Sequence, residues 1–356
     1  MNSYNVPKVT ICVPVRNGAH TIQRTLDSLL IQDYKNYEII VSDNCSSDNT
    51  ADIVGKYAVD GVKYFFNPHL ESYGESNWNY ILNIADGPFI ALYHADDIYD
   101  PTIVRRQVEF FMEYPTISSV FTSLQYIDEH DRPIRMGTMT LPYELRGINI
   151  FPYSDFLNYT LKYRTFVSVP TMMTKREVIE QVGMFNWRKY ATASDIDLYL
   201  RMSKIGPIGF IDIPLHKYRI SPYQYTSTLL HQRTFPDHFF TVMDDHIKAC
   251  AALKIVPRNL LSLYEVHRAA DRVRCAINML AQERNTDAKH YLVSAINCKT
   301  LSSAITELPA EHLKLFILLI AGSLLLLSVH LGIGSVIGKY TCSLLKFYTY
   351  MKRKPL

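Results

Sequence analysis

Two adjacent carboxylates, Asp96 and Asp97, follow an apolar run that begins at Phe89. The run has the length and composition of a buried strand, and turn-forming residues at 86–88 precede it. Two neighbouring carboxylates at the end of such a strand repel each other, and burial disfavours their charged forms. A divalent cation removes both problems, and Mg²⁺ is usually held by one or two carboxylates together with substrate phosphates. The stretch therefore predicts a metal-dependent phosphate site; the alternative is a solvated loop whose acids cap the next helix.

Alternating strands and helices around this stretch predict an α/β fold with a mainly parallel sheet. Apolar runs indicate the strands, and apolar residues at helical spacing indicate the helices between them. Strands are expected over 9–15, 37–41, 62–66, 89–93 and 119–124, with helices over 21–31, 50–57, 75–85 and 102–114. In such sheets ligands bind beyond the carboxyl ends of the strands.

Polar clusters follow three of the predicted strands and are expected to converge on one edge of the sheet. They comprise Arg16 and Asn17 after the first strand, Asp43 and Asn44 after the second, and His94, Asp96 and Asp97 after the fourth. The candidate nucleotide-binding residues are Pro14 within the first strand, the four residues of the first two clusters, and Asp96. Neither the Gly-rich dinucleotide fingerprint nor the P-loop pattern follows the first strand, so those two kinds of nucleotide site are not indicated. Beyond residue 126 the pattern loosens. We expect a mobile loop over 128–152, a helix over 155–163, a strand over 167–173, a helix over 175–182 and mainly helical structure over 231–298.

Residues 9–125 resemble the nucleotide-sugar-binding half of family 2 glycosyltransferases, which have the GT-A fold. The resemblance rests on the order and spacing of several short pieces, each of which is weak alone. They are Pro14 followed by Asn17, then the segments 25–32, 37–44, 46–50 and 85–87.

This resemblance implies a nucleotide-diphosphate sugar donor and a divalent metal, Mg²⁺ or Mn²⁺. Asp43 matches the acid that contacts the nucleotide base in the family. The Asp-x-Asp motif falls on residues 94–96, so that Asp96 matches the usual metal ligand. The sequence departs from the family at His94. His94 and Asp97 are the further candidate metal ligands; the alternative for His94 is a histidine hydrogen-bonded to backbone.

A second part of the resemblance lies at residues 193–201, which match the acceptor-side motif of the family. Asp195 matches the catalytic base, although Ser194 stands where the family usually has Glu. The alternative is that Asp195 is only an acid favoured by a helix N-terminus. Residues 215–219 match the last strand of the catalytic domain, but Ser221 replaces a common His. The Gln-x-x-Arg-Trp motif of processive synthases is absent, which favours transfer of a single sugar.

The predicted reaction is therefore an inverting transfer of one sugar to a hydroxyl of a glycan or lipid-linked acceptor. One alternative is a catalytically inactive nucleotide-sugar-binding protein, which the departures at His94 and Ser194 motivate. The other is a sugar-phosphate nucleotidyltransferase, although the Gly-rich, Arg-containing loop of that class is missing.

Composition sets further bounds. The 356 residues carry a net charge of only +3, which argues against a nucleic-acid partner. The six scattered cysteines suggest neither a zinc site nor a disulfide framework, which fits a reducing environment.

Residues 315–338 form an uncharged run that is long enough to cross a bilayer, and basic residues follow it. We therefore expect a glycosyltransferase domain over 1–225, a helical extension over 226–308 and a membrane anchor with a basic tail over 309–356. The glycines of the run permit a bend, so a re-entrant or in-plane anchor is an alternative to a crossing. The expected location is the cytoplasmic face of the cell membrane.

Overall fold

The strand β1 (Val9–Val15) is buried over its whole length, as expected of a central strand. It pairs in parallel with β2 (Tyr37–Asp43) on one side and with β4 (Phe89–Leu92) on the other. β3 (Lys63–Phe66) continues the parallel sheet beyond β2. The carboxyl ends of these strands therefore lie at one edge, as predicted. The structure is a computed structural model that describes residues 6–69, 74–221, 232–296, 313–352 and 354.

The other half of the sheet contains both parallel and antiparallel pairs. β9 (Met172–Lys175) lies between β4 and β6 (Ser119–Ile127) and is antiparallel to both. β10 (Ile208–Arg219) is parallel to β6, and the two-residue strand β5 (Ile98–Tyr99) is antiparallel to β10. The prediction of a mainly parallel sheet is therefore wrong for this half, and the sheet is mixed. An apolar run indicates that a strand exists but not its direction.

Eight α-helices flank this sheet in the described part of the first 219 residues. They are α1 (Ile22–Leu30), α2 (Thr50–Lys56), α3 (Glu75–Ile84), α4 (Ile103–Glu113), α5 (Tyr153–Tyr163), α6 (Arg176–Val182), α7 (Trp187–Tyr190) and α8 (Ser194–Ile205). In α1 the buried residues are Ile22, Thr25, Leu26, Ser28 and Leu29, the spacing of one helical face.

Two predicted elements differ from the structure. The expected mobile loop over 128–152 contains β7 (Pro133–Met139), paired with β6, and β8 (Ile150–Phe151), paired with β10. The expected strand over 167–173 begins only at Met172, because Val169–Thr171 form a 3₁₀ turn. Pro170 in that turn has no N–H to donate to a ladder.

Gly87 sets the start of β4. Its backbone N–H donates to Thr10 Oγ1 at 3.0 Å. A Cβ at this position would lie 2.8 Å from the same oxygen and 3.0 Å from the Thr10 backbone nitrogen. Only glycine therefore allows the turn before β4 to approach β1 this closely.

The chain divides into two compact units. Unit 1 comprises Met1–Leu157 and Thr165–Arg219, and unit 2 comprises Asn158–Arg164 and Ile220–Leu356. The described helices of unit 2 beyond residue 231 are α9 (His238–Cys250), α10 (Arg258–Ala281), α11 (Asn285–Ala295), α12 (Leu313–His330) and α13 (Gly334–Lys352). The predicted domain boundaries at 225 and 308 lie outside the described residues and stay predictions.

The predicted membrane crossing over 315–338 is not supported. Among the described residues, no helix combines the length and the apolar character that a bilayer crossing needs. Gly332, with a φ of +77°, ends α12, and the Ile333 N–H closes the helix by donating to the Ser328 carbonyl at 3.0 Å. The run is thereby split between α12 and α13. Leu325 of α12 and Cys342 of α13 join a core formed with α10 and α11.

Candidate active site

The carboxyl end of β4 brings together one imidazole and two carboxylates. One ligand atom from each of His94, Asp96 and Asp97 lies within 4.8 Å of the others. Nε2 of His94 is buried and has no hydrogen-bond partner among the described residues. Burial lowers the pKa of His94, opposed by Asp97 and Asp96, which favours the neutral imidazole that binds metals. A nitrogen lone pair beside carboxylate oxygens is a donor set that fits a divalent transition metal such as Mn²⁺.

Asp97 is the more constrained of the two acids. Only 1% of the residue is exposed. Its Oδ2 lies 2.8 Å from His216 Nε2, and its Oδ1 accepts the Arg219 backbone N–H at 2.8 Å. Burial lowers the pKa of His216 to about 3 and raises the pKa of Asp97, so the imidazole is neutral and shares one hydrogen bond with the Asp97 carboxyl group. Asp97 therefore ties the loop after β4 to the end of β10.

Arg219 holds the same loop from a second direction. Its Nε donates to the Asp96 carbonyl at 2.7 Å, and its Nη1 donates to the Asp128 carbonyl at 2.9 Å. Nη2 forms an ion pair with Asp131, which also accepts from Arg24 of α1 at 3.1 Å. The planar guanidinium thus joins the loop after β4, which contains Asp96 and Asp97 and which we call the carboxylate loop, to the turn between β6 and β7.

Two side chains of the helix α1 form hydrogen bonds with the backbone of the carboxylate loop and of β5. Thr25 Oγ1 lies 2.9 Å from the Ala95 carbonyl oxygen and 2.7 Å from that of Asp97. Ser28 Oγ accepts the Tyr99 backbone N–H at 3.2 Å. These buried contacts fix the backbone on both sides of Asp96.

The loops after β1 and β2 are joined by polar contacts. The Asn17 N–H donates to Ser46 Oγ, and Asn17 Oδ1 accepts the Ser47 N–H, each at 2.8 Å. Asn17 has a φ of +51°, a conformation in which Asn is several-fold enriched. The predicted convergence of these two loops is therefore observed. Arg16 is exposed beside them, whereas Pro14 is buried within β1.

Asp43 is buried at the end of β2, and both of its carboxylate oxygens accept hydrogen bonds. Oδ1 accepts the Ser46 N–H, and Oδ2 accepts the Tyr64 hydroxyl, each at 2.9 Å. Burial, and then the bond to Asp43, raise the pKa of Tyr64 to about 12. The neighbouring Asn44 is also buried and donates to the His69 carbonyl at 2.9 Å. Asp43 and Asn44 thus form a polar surface beside the carboxyl edge of the sheet, which we call the polar wall.

Asp195 lies in the first turn of α8, where its Oδ1 is 2.8 Å from the Ile196 backbone nitrogen. Two residues later Asp197 accepts Arg201 Nε at 2.8 Å. Arg201 also donates to the carbonyls of Val182 and Met184, at 2.6 and 2.7 Å. These contacts fix α8 against the loop that follows α6.

That loop leads to an aromatic contact with His94 in the loop after β4. Phe185 exchanges two hydrogen bonds with the Asn79 side chain, at 2.9 and 2.8 Å. Trp78 packs edge-on against Phe185 at 5.1 Å between ring centroids and covers the His94 ring at 5.3 Å.

Four residues of this site were not predicted as site residues: Trp78, Phe185, His216 and Arg219. The chain has only two tryptophans, and one on a helix that leads into a candidate site is the signal that could have been used.

Comparison with known proteins agrees with this geometry. Residues 10–183 match the model of glycosyl transferase family 2. This segment belongs to glycosyl transferase family 2. The expected glycosyltransferase class is therefore confirmed.

Relatives and solved structures extend the comparison. An uncharacterized glycosyltransferase of Rickettsia felis is 28% identical over 219 residues, 60% of this chain and 34% of that protein. The putative teichuronic acid biosynthesis glycosyltransferase TuaG of Bacillus subtilis is 27% identical over 201 residues, 56% of this chain and 73% of that one. The structure of S. aureus TarS 1–349 in complex with UDP-GlcNAc has a TM-score of 0.54 at 16% identity and covers 91% of this chain and 92% of that chain. At this identity the likeness shows the fold, which is GT-A-like as expected.

Proposed function

We propose that this glycosyltransferase transfers a single sugar, with inversion, from a nucleotide-diphosphate sugar to an acceptor hydroxyl. The observation that carries the proposal is the set of His94, Asp96 and Asp97 at the carboxyl end of β4 in a family 2 domain. The fold likeness to a TarS structure that holds UDP-GlcNAc supports a donor of this class.

The donor diphosphate is expected to lie beside Asp96. His94 Nε2 and the Asp96 carboxylate fit a divalent cation, and Asp97 orients the loop through His216 and Arg219. The chemistry that a divalent cation supplies at such a place is stabilisation of the negative charge that develops on the leaving diphosphate. Trp78 packs on the His94 ring and restricts its rotation.

The nucleotide is expected to lie along the joined loops after β1 and β2. Asp43 and Asn44 are held by their own hydrogen bonds, so the wall that they form does not have to be ordered when the nucleotide binds. The exposed guanidinium of Arg16 stands at the same loops and favours an anionic ligand.

Asp195 is the proposed general base. Its place in the first turn of α8 favours the ionised carboxylate, because the helix N-terminus carries partial positive charge. The carboxylate accepts the proton of the acceptor hydroxyl as the oxygen attacks the anomeric carbon. One base and one leaving group on opposite faces give a single displacement with inversion.

The acceptor class and the location stay proposals. The name of TuaG connects that relative with teichuronic acid biosynthesis. A glycan or lipid-linked acceptor at the cytoplasmic face of the cell membrane fits this connection.

Product analysis tests the proposal against its alternatives. The protein is incubated with a panel of nucleotide-diphosphate sugars and Mn²⁺, and the released nucleotide is separated by chromatography. We expect nucleoside diphosphate and a transferred or hydrolysed sugar of inverted anomeric configuration. Formation of nucleoside triphosphate and sugar 1-phosphate, in a parallel sample to which pyrophosphate is added, would indicate a nucleotidyltransferase. Donor binding with no turnover beyond that of Asp195→Asn would indicate a binding protein without catalysis.

A further inference from the structure

The hairpin of α12 and α13 presents an apolar surface to solvent. Six large side chains, each between 55% and 72% exposed, form what we call the hairpin face. They follow helical spacing: Leu324, Leu327 and Leu331 on or next to α12, and Val336, Tyr340 and Leu344 on α13. Scattered apolar residues on a surface are ordinary, but a contiguous stripe on each of two adjacent helices marks an interaction site.

The opposite side of the hairpin is fixed against α10. A Cβ at Gly338 would lie 2.4 Å from Leu280 Cβ, and one at Gly322 would lie 2.7 Å from a methyl of Val273. Leu325 and Cys342 are buried on the same inward side. Because both helices use their glycine-bearing sides to approach α10, the hairpin face points away from the core of unit 2.

The charge of residues 313–356 indicates which kind of partner the hairpin face binds. Residues 313–356 contain six basic residues, Lys314, Lys339, Lys346, Lys352, Arg353 and Lys354, and no Asp or Glu. By helical geometry Lys339 and Lys346, seven residues apart, lie along one edge of the apolar stripe of α13. Apolar side chains bordered by lysines are the pattern of helices that lie in a membrane interface.

We propose that the hairpin face binds the surface of an anionic lipid bilayer, with α12 and α13 lying in the plane of the interface. A second copy of the chain is the competing occupant. Lys339 is paired with Glu283 at 2.6 Å, whereas Lys346 is exposed. Symmetric pairing of two such faces would bring the Lys346 side chains of both copies to one interface, and residues 313–356 supply no Asp or Glu there. Anionic lipid headgroups supply the missing negative charge, and the acyl boundary accepts the leucines. This inference is independent of the proposed sugar transfer.

Vesicle flotation of the full chain tests the proposal. We expect binding to phosphatidylglycerol vesicles that weakens as salt is raised, because salt screens headgroup attraction. The double variant Leu324→Asp/Leu331→Asp should bind at least about tenfold more weakly, since burying one Leu is worth roughly a factor of ten or more. Lys346→Glu should lose about fivefold or more on phosphatidylglycerol and little on phosphatidylcholine.

Matched controls make the result specific. Leu253→Asp and Val59→Asp change apolar residues that are 65% and 90% exposed outside the hairpin face, and both should float like the unmodified protein. Equal flotation of the double variant, or no binding by the unmodified protein, would overturn the proposal. Light scattering without lipid supplies the second test, because a dimer that the double variant disrupts would assign the face to a second copy. Unchanged donor affinity in the double variant would show that unit 1 is intact.

Discussion

Asp96 and Asp97 are neighbours in the chain, but their surroundings indicate different roles. Both oxygens of Asp97 form hydrogen bonds with the end of β10, and the residue is almost fully buried. Asp96 is partly exposed, and its carbonyl is the atom that Arg219 holds. Asp97 is therefore placed to orient the loop, and Asp96 is the acid that we propose as the principal metal ligand. Sequence alone identified both acids as candidates but could not separate these roles, because the partners His216 and Arg219 lie about 120 residues away.

Asp195 is predicted to act in proton transfer and not in donor binding. Asp195→Asn keeps the size of the side chain and can still accept the Ile196 N–H, but it cannot take up the acceptor proton. Sugar transfer should fall by roughly 10²–10⁴-fold, the usual span for general acid–base catalysis. Donor affinity, measured by calorimetry on the same sample, should change little.

The control for this variant is Asp155→Asn, which removes an acid from the first turn of α5. It should change only stability, by about 0.3–1 kcal/mol, which is the worth of a helix-dipole interaction. If Asp195→Asn behaves like this control, the acid is a helix-terminal residue. If donor binding falls together with transfer, Asp195 belongs to the donor site.

At the scale of elements, the sequence predicted what local patterns encode. β1, β2, β4 and the helices between them were predicted correctly, because each has a period or an apolar run of its own. The antiparallel direction of β9 and the pairing of β7 with β6 depend on distant partners, so no local pattern encodes them. The contact of Trp78 with Phe185 was missed for the same reason.

Arg219 is predicted to act as the positioning residue that couples β10 to the carboxylate loop. Arg219→Lys keeps the charge but loses the planar fork that reaches the Asp96 carbonyl, the Asp128 carbonyl and Asp131 together. Metal-dependent donor affinity should fall about 10–100-fold, as is typical when an outer partner of a metal site is changed. The measurement is nucleotide titration with and without Mn²⁺.

Arg24→Lys is the matched variant, because Arg24 pairs with the same Asp131 and its described contacts do not reach the carboxylate loop. It should leave Mn²⁺-dependent affinity within about threefold, in keeping with the small energy of an exposed ion pair. Equal losses in both variants would mean that Asp131, and not the reach of Arg219, sets the loop geometry.

At the scale of the whole molecule, the chain has two units that each contain a core of their own. Every residue that we assign to donor, metal or base lies in unit 1. In unit 2, α10, α11 and the hairpin share one core, and Gly322 and Gly338 of the hairpin allow its close approach to α10. The units are therefore expected to respond separately to substitutions in their cores.

Gly338→Ala tests this separation. The added Cβ would lie 2.4 Å from Leu280 Cβ and 3.0 Å from its backbone carbonyl carbon, so the hairpin must shift. Overpacking of this kind should destabilise unit 2 by about 1–3 kcal/mol in chemical denaturation, with donor affinity unchanged. Gly55→Ala in α2 meets no atom within 4 Å and should be neutral or stabilising. A parallel loss of donor affinity in Gly338→Ala would contradict the assignment of the site to unit 1 alone.

Asp96 is the residue on which the proposed metal dependence rests, and one calorimetric comparison tests its role. Nucleoside diphosphate is titrated into the unmodified protein and into Asp96→Asn, each with Mn²⁺ and with chelator, and His94→Ala serves as the intermediate case. We predict that Mn²⁺ strengthens binding to the unmodified protein, that His94→Ala retains part of this gain, and that Asp96→Asn loses it while keeping the metal-free affinity. An Asp96→Asn protein that gains as much affinity from Mn²⁺ as the unmodified protein would show that Asp96 is not the principal metal ligand.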